Sequence, residues 1–242
     1  MRVLIISDIH ANLIALEAVI AGSGDFDAVW CLGDLVGYGP NPNECIALVR
    51  SLPNLQCIIG NHDAASLERI DIDAFNPEAR LAIQWTQNTL NESSRAFLKG
   101  LPEKIELDKA TLAHGSPRHP VWEYLLDTRT ATLNFDYFST PLCFVGHTHL
   151  PVIYSMSANN HLAHLSIPDA NQILALPDRA IINPGSVGQP RDRDPRAAFA
   201  LFDTETNLLD YRRVPYNFTE VQERMAAAGL PKRHIQRLAA GW

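Results

Sequence analysis

Residues 2–10 read RVLIISDIH, an apolar run that ends in a carboxylate and an imidazole. The apolar run at 2–6 predicts a buried β-strand. Asp8 and His10 follow it with one residue between them, and in extended backbone two such side chains project to the same side. That spacing suits two ligands of one bound group. Such a binding site requires that other strands also end in polar residues.

The same pattern recurs twice in the first quarter of the chain. AVWCLG at 28–33 precedes Asp34, and LQCIIG at 55–60 precedes the polar residues NHD at 61–63. The intervening stretches NLIALEAVIAG and PNECIALVRSL have the apolar spacing of helices. Strand–helix–strand alternation predicts a parallel sheet with right-handed crossovers, whose strands deliver their polar residues to one edge.

Two later apolar runs also end in polar residues. ATLAHG at 110–115 carries His114, and LCFVGHTH at 142–149 carries His147 and His149. The last two histidines have the same i, i+2 spacing as the aspartate and histidine of the first strand. These runs are therefore predicted to be further strands that end at the site.

The pattern of the rest of the sequence predicts one α/β domain over residues 1–242. The middle, about 64–100, reads as helical, and the part after 150 as short β-rich pieces with a hairpin turn at DTETN, 203–207. The segment from about 217 to 242 reads as two helical pieces that pack on the rest. No Gly/Ser-rich linker or repeat divides the chain.

The bulk composition narrows the function classes. With 242 residues and 46% hydrophobic content the chain can bury a full core, and its net charge of -7 argues against a broad contact with nucleic acid or an anionic membrane. Neither a signal peptide nor an apolar run long enough for a bilayer is recognisable, so a cytoplasmic location is expected. The four cysteines are interpreted as small core residues: Cys31, Cys45, Cys57 and Cys143.

The polar residues that follow the strands form a set with metal-ligand chemistry. They are Asp8, His10, Asp34, Asn61, His62, Asp63, His114, His147 and His149. Carboxylates together with imidazoles suit Mn, Fe or Zn better than Ca, and the lack of thiolates argues against a structural zinc site. The set holds more ligands than one ion needs, so two metals that share a bridging carboxylate are the economical interpretation.

The ordered motifs DIH, GD, GNHD, HG and GHTH resemble those of the calcineurin-like metallophosphoesterases, closest to their small prokaryotic phosphodiesterase-type branch. They run from Asp8 to His149, a little over half of the chain, and NPGSVGQPR at 183–191 is also similar to that branch. The resemblance implies a four-layer α-β-β-α sandwich of two mixed sheets flanked by helices.

The resemblance also implies roles for the site residues. One metal would be held by Asp8, His10 and His149, and the other by Asn61, His114 and His147. Asp34 would bridge both, and a metal-bound hydroxide would be the nucleophile. His62 would stabilise the transferring phosphoryl group or protonate the leaving oxygen, and Asp63 would orient it. Two divalent transition metals are expected, with Mn favoured and Fe, Zn, Co or Ni as alternatives.

One departure from related families bears on the substrate. Protein Ser/Thr phosphatases and symmetrical dinucleotide tetraphosphatases carry an Asp-Arg pair where this chain has Gly37 and Tyr38. Another cation must then grip phosphate, and Arg118, Arg191 and Arg193 are candidates because guanidinium pairs bidentately with phosphate. The alternative for the charged stretch QPRDRDPR is a solvated loop with internal ion pairs.

Aromatic and histidine side chains near the motifs leave alternatives open. Tyr38, Trp122 and Tyr124 either line a pocket for a base or aromatic leaving group, or pack. His119 is near the site in sequence and is a candidate for substrate contact. The other histidines match no motif and are interpreted as ordinary surface or hydrogen-bonded residues: His161, His164 and His234.

The expected function is hydrolysis of phosphodiester bonds in a small phosphate ester, at a two-metal site. Phosphomonoester or nucleotide pyrophosphate hydrolysis by the same residues is the alternative within this chemistry. A protein-binding scaffold is the alternative of another class, since some relatives use the fold in that way. No membrane partner is expected, a long nucleic acid is disfavoured because no basic patch is visible, and the sequence does not indicate an oligomeric state.

Overall fold

A computed structural model describes residues 1–157 and 161–242, and it contains two six-stranded sheets. The first sheet has the order β3-β2-β1-β11-β12-β9. Its strands are β1 Arg2–Ile6, β2 Ala28–Cys31, β3 Leu55–Cys57, β9 Gln172–Ala175, β11 Ala197–Asp203 and β12 Leu208–Val214. Strands β1, β2 and β3 are parallel and β11 joins β1 antiparallel, so the predicted parallel unit is confirmed within a mixed sheet.

The second sheet is also mixed and has the order β4-β5-β6-β10-β7-β8. Its strands are β4 Lys104–Glu106, β5 Ala110–Ala113, β6 Leu142–Phe144, β7 Pro151–Ser155, β8 His164–Ser166 and β10 Ala180–Pro184. Strands β5, β6 and β10 are parallel, which directs the ends of β5 and β6 to the same edge. The later predicted hairpin is confirmed, since β11 and β12 pair across a turn at 204–207.

Eight α-helices accompany the sheets within the described residues. They are α1 Leu13–Ser23, α2 Pro42–Arg50, α3 Asn61–Ser66, α4 Pro77–Thr89, α5 Glu92–Lys99, α6 Thr128–Asn134, α7 Phe218–Ala227 and α8 Lys232–Ala240. Asparagine side chains cap the first free N–H groups of α1, α4, α5 and α7, as this residue type does well. No helix in the described part of the chain is long and apolar enough to cross a bilayer.

The alternation of β1 explains the layers. Val3 and Ile5 lie in a buried cluster between the two sheets with Trp30, whereas Leu4 and Ile6 face a second cluster that includes helix residues of α1 and α2. A strand buried on both faces needs a layer on each side. The predicted four-layer sandwich of two mixed sheets flanked by helices is confirmed.

The C-terminal helices pack in one hydrophobic cluster with residues near the predicted site. Val221 and Met225 of α7 and Leu238 of α8 lie in this cluster with Tyr38 and Phe75. The C-terminal segment therefore reaches the same edge of the molecule as the polar ends of the strands. The four cysteines are buried, as predicted.

Candidate metal centre

The ends of three strands, β1, β2 and β6, carry five of the predicted ligands in left-handed backbone conformation. The φ angles are +52° at Asp8, +49° at His10, +53° at Asp34, +64° at His147 and +60° at His149. Such a conformation costs a non-glycine residue about 1–2 kcal/mol. The prediction that Asp8 and His10 follow their strand in extended backbone is therefore wrong, although both side chains do reach one place. Five strained residues at one edge indicate a functional constraint.

The first group of ligand atoms contains Asp8, His10 and His149, which are all buried. The Nε2 atoms of the two histidines lie 3.1 Å apart. Oδ1 of the aspartate lies 3.3 Å from Nε2 of His149 and 3.9 Å from Nε2 of His10. Three donor atoms that close together suit a single divalent ion.

The second group contains Asp34, His114 and His147, again all buried. Oδ2 of Asp34 lies 3.4 Å from Nε2 of His114 and 3.6 Å from Nε2 of His10, so this carboxylate faces both groups. Oδ1 of Asn61 lies 3.1 Å from Nε2 of His114 and adds an amide oxygen to the second group. The arrangement places Asp34 where a bridging ligand is needed.

Backbone carbonyls orient the histidine rings. Nδ1 of His10 hydrogen-bonds to the carbonyl of Val36 (3.1 Å), and Nδ1 of His114 to that of Leu32 (2.7 Å). His149 is held likewise, with Nδ1 2.6 Å from the carbonyl of Gln189. A ring whose Nδ1–H donates to a carbonyl presents the lone pair of Nε2 to a metal.

His147 is held the other way round. Its Nε2 lies 3.1 Å from the carbonyl of Trp122, so Nδ1 is the atom left for a metal. The i, i+2 pair His147 and His149 thus serves two groups, unlike Asp8 and His10, which share one. Ring orientation explains how a short GHTH segment can supply both positions.

The donor set fits divalent metal ions. With Nδ1 of His10 and His149 as donors, the two Nε2 lone pairs face each other at 3.1 Å, an arrangement that a cation between them and the nearby Asp8 stabilises. Burial lowers the pKa of both histidines well below its usual value, so the rings are neutral and ready to coordinate. Burial likewise raises the pKa of Asp8 to about 7.

Asp34 and His114 behave as an ion pair before metal binds. Burial alone would raise the pKa of Asp34, but the neighbouring His114 and His62 hold it well below its usual value. Burial alone would lower the pKa of His114, but Asp34 raises it to about 10. A metal must therefore displace the His114 proton, so its affinity is expected to increase with pH.

His62 stands beside the two groups without joining either. It is buried, its backbone N–H donates to Oδ1 of Asp34 (2.9 Å), and its Nδ1 has no hydrogen-bond partner among residues 1–157 and 161–242. The carboxylate of Asp63 accepts the backbone N–H groups of Val36 (3.1 Å) and Gly60 (3.0 Å) rather than bonding the His62 ring. Asp63 therefore fixes the start of α3, and through it the position of His62.

Gly37 gives the His62 ring its space. Its φ is +91°, and a Cβ there would lie 2.6 Å from Nδ1 of His62. The presence of glycine at position 37, where related families carry the aspartate of the Asp-Arg pair, therefore has a steric reason. A larger side chain at this position requires the ring to move.

We expect Gly37→Ala to lower the free energy of unfolding by about 1–3 kcal/mol and to displace His62 while the metal content stays unchanged. Gly24→Ala is the matched control, since Gly24 also has positive φ (+71°) but nothing lies within 4 Å of its added Cβ. Urea unfolding, metal analysis and phosphoesterase rates would be compared. Equal rates in both variants would contradict the steric interpretation.

The aromatic side chains differ in their exposure. Tyr38 is buried, and its ring centroid lies 4.6 Å from that of His10 and 4.4 Å from that of His62. Tyr124 is 46% exposed and stacks on His147 with ring centroids 3.8 Å apart, and Trp122 beside it is 39% exposed. Tyr38 therefore packs, whereas Trp122 and Tyr124 both pack and present open ring surface beside the second group.

The three candidate arginines have different surroundings. Arg191 is half-buried with its Cζ 6.0 Å from the ring centroid of Tyr38, and its charge acts on the pKa of Asp8. Arg118 instead donates to Glu123, with Nε 3.3 Å from Oε2, and Arg193 has an exposed side chain. Of these three, Arg191 is the one that the structure places next to the ligand groups.

One expectation about the histidines is wrong. His234 is neither at the surface nor hydrogen-bonded within the described residues: it is 2% exposed, and both ring nitrogens lack partners. Its ring lies 4.4 Å from that of Tyr38. Its sequence context carries no motif, and its contact with Tyr38, 196 positions earlier, depends on how the C-terminal helices fold back. His119 lies at the edge of a separate cleft with Arg69 and Glu103.

Glu123 stabilises the loop whose Trp122 carbonyl contacts His147. Its carboxylate accepts Ser116 Oγ (2.7 Å), Asn134 Nδ2 (2.9 Å) and the Arg118 guanidinium. Burial alone would raise the pKa of Glu123, but these bonds lower it to about 2 from 4.5. The contribution of the ionised Glu123 carboxylate to folding stability is therefore complete above pH 4.5 and is lost as the pH falls toward 2.

We expect Glu123→Gln to lower the free energy of unfolding at pH 7 by about 1 kcal/mol, allowing for solvent screening of this pair. The variant should also lose less stability than the wild type between pH 4.5 and 2, the interval in which Glu123 gains its proton. Glu106→Gln, which removes an exposed pair with Lys104, is the control. Parallel pH–stability curves for wild type and Glu123→Gln would contradict the prediction.

Comparison with known proteins places these features in a family. A model described as the calcineurin-like phosphoesterase superfamily domain matches residues 1–207. The crystal structure of a metallophosphoesterase from Sphaerobacter thermophilus is 47% identical, with a TM-score of 0.91, and the match covers 100% of this chain and 99% of that one. An uncharacterized protein of Methanocaldococcus jannaschii is 37% identical over 98% of this chain and 97% of its own length.

A shorter match concerns one of the related families. The symmetrical bis(5'-nucleosyl)-tetraphosphatase of Pectobacterium atrosepticum is 34% identical over 67 residues, which are 26% of this chain and 24% of that protein. The resemblance drawn from the sequence motifs is confirmed by the two matches that span nearly the whole chain. On the strength of these matches, the chain belongs to the calcineurin-like phosphoesterase superfamily and is a hydrolase that acts on phosphate esters.

Proposed function

We propose that this chain hydrolyses phosphodiester bonds in small phosphate esters at a site that holds two divalent metal ions. The observation that carries the proposal is the pair of buried ligand groups with Asp34 directed at both. Asp8, His10 and His149 would hold one ion, and the second would be held by Asn61, His114 and His147. Mn is the metal that we propose, with Fe, Zn, Co or Ni as alternatives, since a mixed set of oxygen and imidazole ligands accepts any of them.

Two ions at these positions would polarise the phosphoryl oxygens and lower the pKa of the attacking water. The chain's own residues supply the remaining requirements. His62 stands beside both groups with an unpartnered ring nitrogen, which supports a role in donating a proton to the leaving oxygen or a hydrogen bond to the phosphoryl group. Arg191, whose charge acts on Asp8, would add positive charge beside the metal ions, and Tyr124 with Trp122 would offer ring surface to the leaving group.

The absence of the Asp-Arg pair supports a diester rather than a monoester. A diester carries one negative charge at the scissile phosphate, whereas a monoester carries nearly two and demands more cationic contacts. Gly37 and Tyr38 supply none, and of the three candidate arginines only Arg191 lies next to the ligand groups. A scaffold without activity is disfavoured, because every predicted ligand is present and buried.

Hydrolysis of a nucleotide pyrophosphate bond is the second candidate. The local match to a symmetrical bis(5'-nucleosyl)-tetraphosphatase favours it, although that match covers a quarter of the chain. A phosphoanhydride between two nucleosides is also substituted on both sides of the scissile phosphate. The same ligand groups and the same His62 would serve this reaction.

The proposal is tested by comparing bis-p-nitrophenyl phosphate with p-nitrophenyl phosphate on metal-stripped protein that has been reloaded with Mn. We expect metal-dependent turnover with the diester at the higher kcat/KM. The metal-stripped protein serves as the control for contaminating phosphatases. No turnover of either ester by protein that binds two metals would contradict the proposal and favour a scaffold.

A further inference from the structure

Helix α8 brings an unsatisfied histidine to the rim of the metal centre. The ring of His234 lies 4.4 Å from that of Tyr38, which lies 4.4 Å from that of His62. His234 is 2% exposed, and neither of its ring nitrogens has a hydrogen-bond partner in the described ranges 1–157 and 161–242. Burial and the charge of Arg237 lower the pKa of His234 to about 3 against the opposing effect of the Glu78 backbone, so the ring is neutral. Buried polar groups are rarely left without a hydrogen-bond partner.

Two guanidinium groups near His234 each contain one unpartnered nitrogen, although Nη2 of Arg191 donates to Oε1 of Gln189 (3.1 Å). Nε of Arg237 on α8 and Nε of Arg191 are both buried without a partner among the residues that the structure describes. Cζ of Arg191 lies 6.0 Å from the ring centroid of Tyr38, and Arg237 lies on α8 with His234, and both charges act on Tyr38 and on His234. Burial, followed by the charge of Arg191, lowers the pKa of Arg237, as expected for two cations that share one region.

Two acidic side chains in this region pair with other arginines. Glu78 lies 3.6 Å from Arg233, on the neighbouring turn of α8, and Asp192 pairs with Arg213. Gln189 adds another buried donor, Nε2, which also has no partner in the described parts of the chain. One nitrogen each of Arg191, Arg237 and Gln189, together with the His234 ring, is therefore left without a hydrogen-bond partner in the described residues.

We infer that Arg191, Arg237 and His234 form a binding site for a second phosphoryl group of the substrate, next to the scissile one. This inference rests on the proposed function, because it takes the two ligand groups as the place where the scissile phosphate binds. Arginine forks match phosphate oxygens, and a neutral imidazole adds one N–H donor. The substrate class is then a phosphodiester or phosphoanhydride that carries a further phosphoryl group, rather than a diester with uncharged substituents.

Binding of imidodiphosphate and orthophosphate to the full-length, Mn-loaded protein tests the inference by calorimetry. Imidodiphosphate has two phosphoryl groups and a bridge that resists hydrolysis. We expect Arg237→Gln to weaken its binding about tenfold or more, as loss of a charged hydrogen-bonding partner does, and to weaken orthophosphate binding much less. Arg233→Gln is the matched control, since Arg233 lies on the same helix with its charge paired to Glu78.

Two further variants keep the test decisive if Arg237→Gln fails to fold. Arg237→Lys retains the charge and should recover part of the imidodiphosphate affinity. His234→Phe retains the ring packing on Tyr38 but removes both nitrogens, so it should weaken imidodiphosphate binding severalfold, whereas pure packing would leave binding unchanged. Equal imidodiphosphate affinities in wild type, His234→Phe and the Arg237 variants would overturn the inference.

The two proposals fail in distinguishable ways. Wild-type protein that hydrolyses bis-p-nitrophenyl phosphate but binds imidodiphosphate independently of Arg237 keeps the proposed function and loses the second site. Protein that binds imidodiphosphate through Arg237 but hydrolyses neither ester keeps an anion site and loses the proposed function.

Discussion

The variant Asp34→Asn is expected to lose metal from one or both positions and to lose roughly a thousandfold or more of the phosphoesterase rate. Bridging by a carboxylate holds two positive ions close together, and the charge stabilisation that such ions supply is worth several kcal/mol. Oδ2 of Asp34, a member of the second group, lies 3.4 Å from Nε2 of His114 and 3.6 Å from Nε2 of His10 in the first group, so it faces both groups. Metal content and kcat/KM with the diester would be measured together.

The asparagine variant is preferable to alanine because an amide oxygen can still accept the backbone N–H of His62, which Oδ1 of Asp34 accepts at 2.9 Å. The N-terminal end of α3 should therefore stay in place, and the effect reports on charge. Asp210→Asn is a suitable control, since Asp210 pairs with Arg212 on β12. Unaltered turnover in Asp34→Asn would rule out a bridging role for this carboxylate.

The position of the site was predictable because it depends on local patterns. Apolar runs that end in Asp8, Asp34 or His114 are visible in the sequence, and parallel strands must bring their carboxyl ends to one edge. The backbone conformation was not predictable from the same patterns. Left-handed φ at Asp8 and His10 results from hydrogen bonds to distant carbonyls, such as those from the Asp8 and His10 N–H groups to Gly33 and Asp34.

Ring orientation shows a second limit of sequence reasoning. His147 and His149 look equivalent in GHTH, yet one presents Nδ1 and the other Nε2 to the site. The difference is made by the carbonyls of Trp122 and Gln189, which lie on two separate loops. Only the tertiary structure decides which carbonyl meets which ring nitrogen.

Short edge strands and the C-terminal helix show a third limit. β8 and β9 have mostly exposed side chains, so their apolar pattern is weak and their existence depends on pairing with β7 and β12. His234 has ordinary helical neighbours, and its approach to Tyr38 follows from the packing of α7 and α8 on the central residues. Contacts between the two ends of a chain leave no local signal in either end.

The variant His62→Asn is expected to retain both metals and to lose about 10²–10⁴-fold in kcat, the range for removal of a general acid. Its ring belongs to neither ligand group, and its backbone N–H to Asp34 is unaffected by the substitution. Asparagine keeps a polar side chain next to Gly37 and leaves a smaller void than alanine. Metal analysis and single-turnover rates with an alkyl phosphodiester, whose leaving group needs the proton, separate loss of metal from loss of chemistry.

The matched control is His164→Asn, which changes an exposed histidine on β8 and should leave both readouts at the wild-type level. The leaving group provides a sharper criterion. If His62 protonates the leaving oxygen, the rate loss in His62→Asn should be large for an alkyl ester, whose leaving group needs the proton, and small for a p-nitrophenyl ester, whose leaving group does not. An equal loss for both esters would indicate that His62 instead stabilises the phosphoryl oxygens, and loss of a metal would place its ring among the ligands.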